Sequence, residues 1–175
     1  HFATFDNIVE SFEQYVKKID GPKVMCADDA VTAKFATKIA AKQACRTYGM
    51  SIVADVRAVN VVLAEGRSRF DVEARQSGST EEHGLIGSVE IPLRGEHNVL
   101  NATAALTMAM ELGVDFGVAS HALSSFRGVA RRFDLRGVDH GVTFVDDYAH
   151  LPNEIIAMLR GARDATDKWD RVVAV

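Results

Sequence analysis

The sequence is poor in the features that most directly class a protein. Its only cysteines are Cys26 and Cys45. Two thiols so placed make neither a metal-ligand spacing nor a disulfide framework for a domain of this size, so they read as reduced, buried side chains of a cytoplasmic protein. Neither sign of charge dominates. Twenty basic against 24 acidic residues give a net charge of −4 and a pI near 5.9, which offers no general attraction to nucleic acid or anionic lipid, so any anion site must be local. No apolar stretch approaches the roughly 20 residues of a membrane-spanning helix. The first residues, which do not begin with Met, lack the charged and apolar blocks of a signal peptide. Internal repeats and low-complexity tracts are absent. What remains is 47% hydrophobic content spread over 175 residues, enough for one good core or two small ones in a soluble globular protein.

In chain order, Asp6 is placed to cap a helix on which Ile8, Phe12, Val16 and Ile19 share one face, and Gly21-Pro22 stops it. Lys23 to Cys26 reads as a short strand, and Asp28 and Asp29 after it read as caps of an alanine-rich helix. On that helix Val31, Phe35 and Ile39 oppose a stripe of Lys34, Lys38 and Lys42, which reads as a solvated face. From Thr47 to Leu93 the period becomes alternating. Phe70, Val72 and Ala74 interleave with charged residues, Glu65-Gly66 offers a turn back to the run Val56 to Ala64, and Leu85 to Leu93 supplies a further strand. These are expected to be antiparallel strands of a small sheet with one wet face, without a catalytic constellation.

Chemistry concentrates in three later stretches. In Arg94 to Gly113, RGEHNVLNATAALTMAMELG, the two end glycines bracket a helix, and His97, Asn98 and Asn101 crowd its first turn. A carboxamide sets a donor beside an acceptor, which matches the edge of adenine; equally, Asn98 could be an N-cap and Asn101 a surface residue. Phe126 to Phe133, FRGVARRF, is a linker in which Gly128 permits a bend and Arg131 and Arg132 point to different sides if extended. In Phe144 to Ile156, FVDDYAHLPNEII, the residues Val142, Phe144 and Val145 suit a buried strand that stops at Asp146 and Asp147. Pro152 then opens a helix carrying Ile155, Ile156, Leu159 and Ala162 at helical spacing. Ligands bind outside the carboxyl ends of strands in open α/β sheets, yet paired aspartates also form turns, and position alone leaves both readings open.

The order Gly-Glu-His-Asn-Val-Leu-Asn-Ala, Gly-Val-Ala-Arg-Arg-Phe, Asp-Asp-Tyr-Ala-His-x-Pro-x-Glu-Ile, with Thr47-Tyr48-Gly49 upstream, resembles the Mur ligase family over nearly the whole chain. The tyrosine of Asp-Asp-Tyr-Ala-His is similar to the branch that adds L-alanine; phenylalanine is usual in the related murein-peptide branch. The resemblance implies an α/β fold: residues 1–128 as the latter part of a central ATPase domain, with helices and a small antiparallel sheet, and residues 129–175 as the start of a Rossmann-like carboxyl-terminal domain. The family's phosphate loop is expected before His1, since no Gly-Lys pair occurs. The chain is then a fragment, inactive by itself, and Arg171 to Val175 is expected to open a second parallel strand.

Carried over by position, the resemblance sets His97, Asn98 and Asn101 near adenine, Arg132 near the nucleotide phosphates and Asp147 at the ribose hydroxyls. Asp146 is the lesser candidate for the sugar. Tyr148 and His150 belong to the loop facing the substrates, where Leu151 replaces a usual second histidine, and His1 corresponds to a ligand of a magnesium ion. The implied reaction activates the lactyl carboxylate of UDP-N-acetylmuramate with ATP and Mg2+ and joins it to L-alanine, for peptidoglycan precursors in the cytoplasm, with no nucleic-acid or membrane partner. No catalytic residue is assigned. Murein-peptide ligation, a non-catalytic adenine-nucleotide module and a receiver-like module, which also begins strand, Asp-Asp, helix, stay open as alternatives.

Overall fold

A computed structural model describes residues 3–40, 44–64, 66–76, 79, 82–163 and 169–175. The described elements are α1 (Phe5–Lys17), β1 (Val24–Cys26), α2 (Ala30–Ala40), β2 (Arg46–Gly49), β3 (Val56–Ala64), β4 (Arg67–Ala74), β5 (Gly84–Ile91), α3 (Glu96–Glu111), α4 (Phe116–Ser125), β6 (Asp134–Asp139), β7 (Val142–Asp146) and α5 (Pro152–Arg163).

The expected antiparallel strands β3, β4 and β5 form, and β1 and β2 extend them in parallel into one sheet of order β1-β2-β3-β4-β5. Strand alternation sends Val56, Ala58, Phe70, Val72, Val89 and Ile91 to one face, where they meet Val99, Ala102 and Leu106 of α3 and Ala119 of α4. Burying each large side chain of this set contributes roughly 1.5–3 kcal/mol. Thr103 and Thr107 are also buried in this layer. Their hydroxyls donate to Val99 O at 2.8 Å and Thr103 O at 2.7 Å, so neither is buried without a partner. The opposite face is wet and laced with the ion pairs of Arg57 with Glu73 and of Arg67 and Arg69 with Glu90, and with hydrogen bonds from Asn60 and Ser88 to Asp71. Ion pairs this exposed contribute little to stability, and they make the face soluble rather than reactive.

A second core of Phe35, Ala36, Ile39 and Cys45 is closed by Val9 and Val16 of α1. Phe12, expected on the same face, is 59% exposed. The contact with α2 falls on Val9 and Val16, and a helix stripe says nothing about which edge a neighbour will cover. Thr4, not Asp6, caps α1, accepting from Asn7 N at 3.2 Å. Asp29 caps α2 through Val31 N and Thr32 N. Asp28 does something else. Its carboxylate accepts from Met50 N at 2.7 Å and Ser51 N at 2.9 Å, tying the end of β1 to the loop after β2, and a Cβ at Gly49 would collide with it. Thr47 anchors the other end of that loop by donating to the buried Asp55 carboxylate at 2.7 Å from its hydroxyl and 2.9 Å from its N–H. Lys38 reaches Glu13 at 3.3 Å; Lys42 lies outside the described residues.

Beyond Gly128, at φ 90°, the chain forms a separate two-stranded antiparallel ribbon, β6-β7. His140 and Gly141 turn it, both with positive φ (46° and 80°), the conformation that suits tight hairpins. This corrects the reading of β7 as a buried strand of an open parallel sheet. Val142 is 54% and Phe144 52% exposed, because no second layer among the described residues covers the ribbon. Arg171 to Val175 forms no strand and is exposed, so β7 takes its partner from upstream rather than downstream. Helix α5 does begin at Pro152. Glu154 accepts from His150 N at 3.2 Å and Leu151 N at 3.3 Å, satisfying donors at the helix start.

Candidate functional site

Helix α3 points its amino end at the second unit. Gly95 is its N-cap, with φ 84° and ψ 152°, and its side-chain position is filled: a Cβ there would lie 2.9 Å from the His97 ring and 3.5 Å from Gly161 Cα of α5. Glycine is thus required by conformation and by close approach together. Asn98 is therefore not the cap. It sits at the third helical position and its Nδ2 reaches back to Arg94 O at 2.8 Å, with His97 Nε2 at 3.1 Å as a second acceptor. Asn101, which is exposed, donates to Asn98 Oδ1 at 3.4 Å. One long bond thus links the two carboxamides at the helix start, where oriented N–H groups favour an anion.

His97 is half-buried between the two units. Desolvation pulls its pKa down, Asp147 opposes that and Arg132 adds to it, so all three groups lie within electrostatic range. The ring is neutral at neutral pH, consistent with an Nε2 that accepts from Asn98. Asp147 is doubly engaged: Oδ2 accepts from Phe133 N at 2.8 Å and Oδ1 from Ala149 N at 2.7 Å. It pins the linker to the loop after β7, as the turn reading expects, while each oxygen retains a lone pair for a ligand hydroxyl. Its neighbour Asp146 turns away to Arg131, whose Nε lies 3.6 Å off.

Arg131 and Arg132 diverge, but through a turn in which Arg131 has φ 61°, not through the extended linker on which the expectation rested. Arg131 covers the Tyr148 ring at 4.7 Å, and Arg132 lies 3.7 Å from Glu154, still half exposed. Tyr148 and His150 meet edge to face at 5.3 Å on the exposed loop, and Glu154, held below the usual carboxylate range first by the His150 and Leu151 N–H groups, stands beneath them. His97, Asn98, Arg132 and Asp147 are thus gathered at one junction, with Asn101 one turn along α3 and Tyr148 and His150 at its rim. His1 lies outside the described residues. Among the described residues no group of three His, Cys, Asp or Glu side chains is placed to hold a metal ion. A concavity of about 540 Å3 between α1 and α2 lies away from this junction, its lining divided between apolar residues such as Phe5 and Phe35 and polar ones such as Asp6, Lys34 and Lys38.

Sequence reasoning missed Arg94, Phe133, Glu154 and Trp169, all of which reach the junction. Only Glu154 carried a legible signal, lying where a carboxylate can accept from the N–H groups at the start of a helix.

Residues 1–109 match the Mur ligase middle domain. The UDP-N-acetylmuramate–L-alanine ligase of Bradyrhizobium sp. strain BTAi1 is 41% identical over the whole of this chain and 37% of its own length, and that of Azorhizobium caulinodans is 42% identical over the same shares. The solved UDP-N-acetylmuramate–alanine ligase of Thermotoga maritima matches with a TM-score of 0.73 at 26% identity, covering 93% of this chain and 34% of that one. A murein peptide ligase from Psychrobacter arcticus matches with a TM-score of 0.61 at 27% identity, covering 93% and 33%. The chain spans little more than a third of the length of these curated relatives. The family match covers more than half of the chain, the curated relatives match over its whole length, and the chain belongs to the Mur ligase family.

Proposed function

We propose that this chain is the adenosine-binding and hinge portion of an ATP-dependent ligase that joins L-alanine to the lactyl carboxylate of UDP-N-acetylmuramate. The observation that carries the reading is the junction at the α3 start, where His97, Asn98, Arg132 and Asp147 converge from three segments distant in sequence. Asn98 and Asn101 exchange their mutual bond for the adenine edge, donor to acceptor and acceptor to donor. The remaining lone pairs of Asp147 accept from the ribose hydroxyls. Arg132, whose pairing with Glu154 is long, swings to the phosphates, where a guanidinium forms stronger charge-assisted bonds. Residues 1–128 then act as the latter part of the central domain and residues 129–175 as the start of the carboxyl-terminal one. Separate sheets and the left-handed Gly128 between them support that division.

In the reaction the lactyl carboxylate attacks the γ-phosphorus of ATP, releasing ADP and leaving an acyl phosphate. The amine of L-alanine then attacks the acyl carbon, phosphate departs, and the ammonium proton is lost to solvent. Tyr148 and His150, exposed at the rim, face that chemistry, and closure of the two domains excludes water from the acyl phosphate. Magnesium screens phosphate charge in such transfers. The described residues do not by themselves form its site, so no step is assigned to it here. ATP and a uridine nucleotide as substrates put the reaction in the cytoplasm. The receiver-like alternative loses its footing because β7 lies in an antiparallel ribbon, not a parallel sheet.

The test is phosphate release by the full reading frame that encodes this chain, with ATP, UDP-N-acetylmuramate and single amino acids. Release that requires both UDP-N-acetylmuramate and L-alanine is expected. Release that requires a preformed peptide in place of the amino acid would move the assignment to the murein-peptide branch.

A further inference from the structure

Arg94 has no role in the reading above, and its surroundings are unusual for an arginine. No carboxylate among the described residues pairs with it. Its guanidinium lies instead over two aromatic rings, 5.6 Å from the centre of Phe133 and 5.1 Å from that of Trp169, which are themselves 6.3 Å apart and tilted by 35°. Desolvation pulls its pKa down, so the aromatic faces supply what an anion usually would. Both rings belong to the segment after Gly128, while Arg94 immediately precedes the N-cap of α3. Trp169 is held in place by donating from Nε1 to Thr143 Oγ1 of β7 at 3.0 Å. Phe133 is held by a backbone in the left-handed region, φ 49°, with Arg131 two residues earlier at φ 61°. Such conformations cost about 1–3 kcal/mol each in a non-glycine residue and persist only where surrounding contacts fix them.

The contacts that fix them lead back to the junction. Phe133 N donates to Asp147, and Arg94 O accepts from Asn98. One continuous path therefore runs from the Asn98 carboxamide through the Arg94 peptide and guanidinium to the Phe133 ring, and through the Phe133 N–H to the Asp147 carboxylate. We propose that Arg94 is a positioning residue: its guanidinium, clasped by Phe133 and Trp169, sets the distance between the adenine-facing carboxamide on α3 and the ribose-facing carboxylate after β7, and so couples nucleotide binding to docking of the two units. The coupling, but not the clasp itself, rests on the nucleotide reading above.

Trp169 is the sole tryptophan of the chain, so its emission reports the clasp directly. Arg94→Met keeps the aliphatic stem and removes the charge. In this chain it is expected to red-shift Trp169 emission and raise its quenching by acrylamide without nucleotide, and in the full reading frame to weaken ATP by about two-fold to thirty-fold, the range of one cation–π contact. Arg94→Lys should restore most of both. Thr143→Val, which removes the indole's acceptor and leaves Arg94 intact, should also loosen Trp169. Unaltered emission and quenching in Arg94→Met would overturn the clasp. A clear Trp169 response with unaltered ATP affinity would overturn the coupling. A full reading frame that binds no ATP, although this chain shows the clasp, would sink the nucleotide reading, and the coupling with it, leaving the clasp as a docking contact alone.

Discussion

Phe70 and Phe144 are both strand phenylalanines, yet one is 2% exposed and the other 52%. The difference lies in what stands opposite. Phe70 belongs to a strand with neighbours on both edges and α3 and α4 across one face. Phe144 belongs to a two-stranded ribbon, a structure that is marginal in water unless something packs on it. The sheet unit is held by its own core; the ribbon and α5 are held to it by the close approach of Gly95 to Gly161 and by Arg94 against Phe133 and Trp169. The candidate site lies at that seam, where a well-packed unit supplies α3 and a thinly packed one supplies the loop after β7.

The sharpest way to break this comparison is to truncate both rings. Phe70→Ala should cost about 3–5 kcal/mol, as for buried aromatic residues, whereas Phe144→Ala should cost no more than about 1 kcal/mol, measured by urea unfolding. Equal losses would show the ribbon to be as much a core as the sheet.

Asp147 tests whether the seam binds ligand as well as holding the fold. A hydrogen bond to a charged group contributes roughly 1.5–3 kcal/mol, so Asp147→Ala should weaken ATP by about ten-fold to a hundred-fold, and Asp147→Asn by less. Because both oxygens already hold backbone N–H groups, the alanine variant should also lose some thermal stability. A lowered melting temperature with ATP affinity intact would return the aspartate to turn-making alone.

Hydrogen exchange sharpens the same contrast. Amides of Val142 to Arg163 should exchange faster than those of Asn98 to Glu111, since local opening of the ribbon and α5 exposes little that was buried. Equal protection in both would contradict a thinly packed second unit.

The smallest effect concerns pH. Burial depresses the His97 pKa below its ordinary 6.5, so the unfolded chain takes up that proton first as pH falls. The stability held above pH 6.5 is therefore lost progressively below it, and His97→Gln should flatten that part of the profile. A slope between pH 7 and 5 unaltered by the substitution would show that the imidazole is not desolvated at the seam.

Much of the sheet unit was legible because its signals are local. Alternation marked β3 to β5, and Gly95 and Gly113, both left-handed, marked the ends of α3 as expected. Pro152 marked the start of α5. The ribbon was read half right. β6 carries little local signal because the His140-Gly141 turn lacks the usual asparagine, and the apolar run of β7 does not say whether a second layer covers it. At the site, the residues His97, Asn98, Arg132 and Asp147 came from motif resemblance, and no periodicity could have supplied them.

Sequence by itself determined the alternating and helical faces, the glycines that punctuate α3, the family and the residue types available for nucleotide chemistry, because each is written in residues close along the chain. Only the tertiary structure decided that Asp28 bridges to Met50 and Ser51 instead of capping α2, that Asp147 holds Phe133, and that Arg94 meets two rings from the other side of Gly128. Those contacts join residues distant in sequence. Which partner a carboxylate or guanidinium takes depends on which groups the packed layers leave within reach, and identical Asp-Asp pairs at two strand ends meet different neighbours.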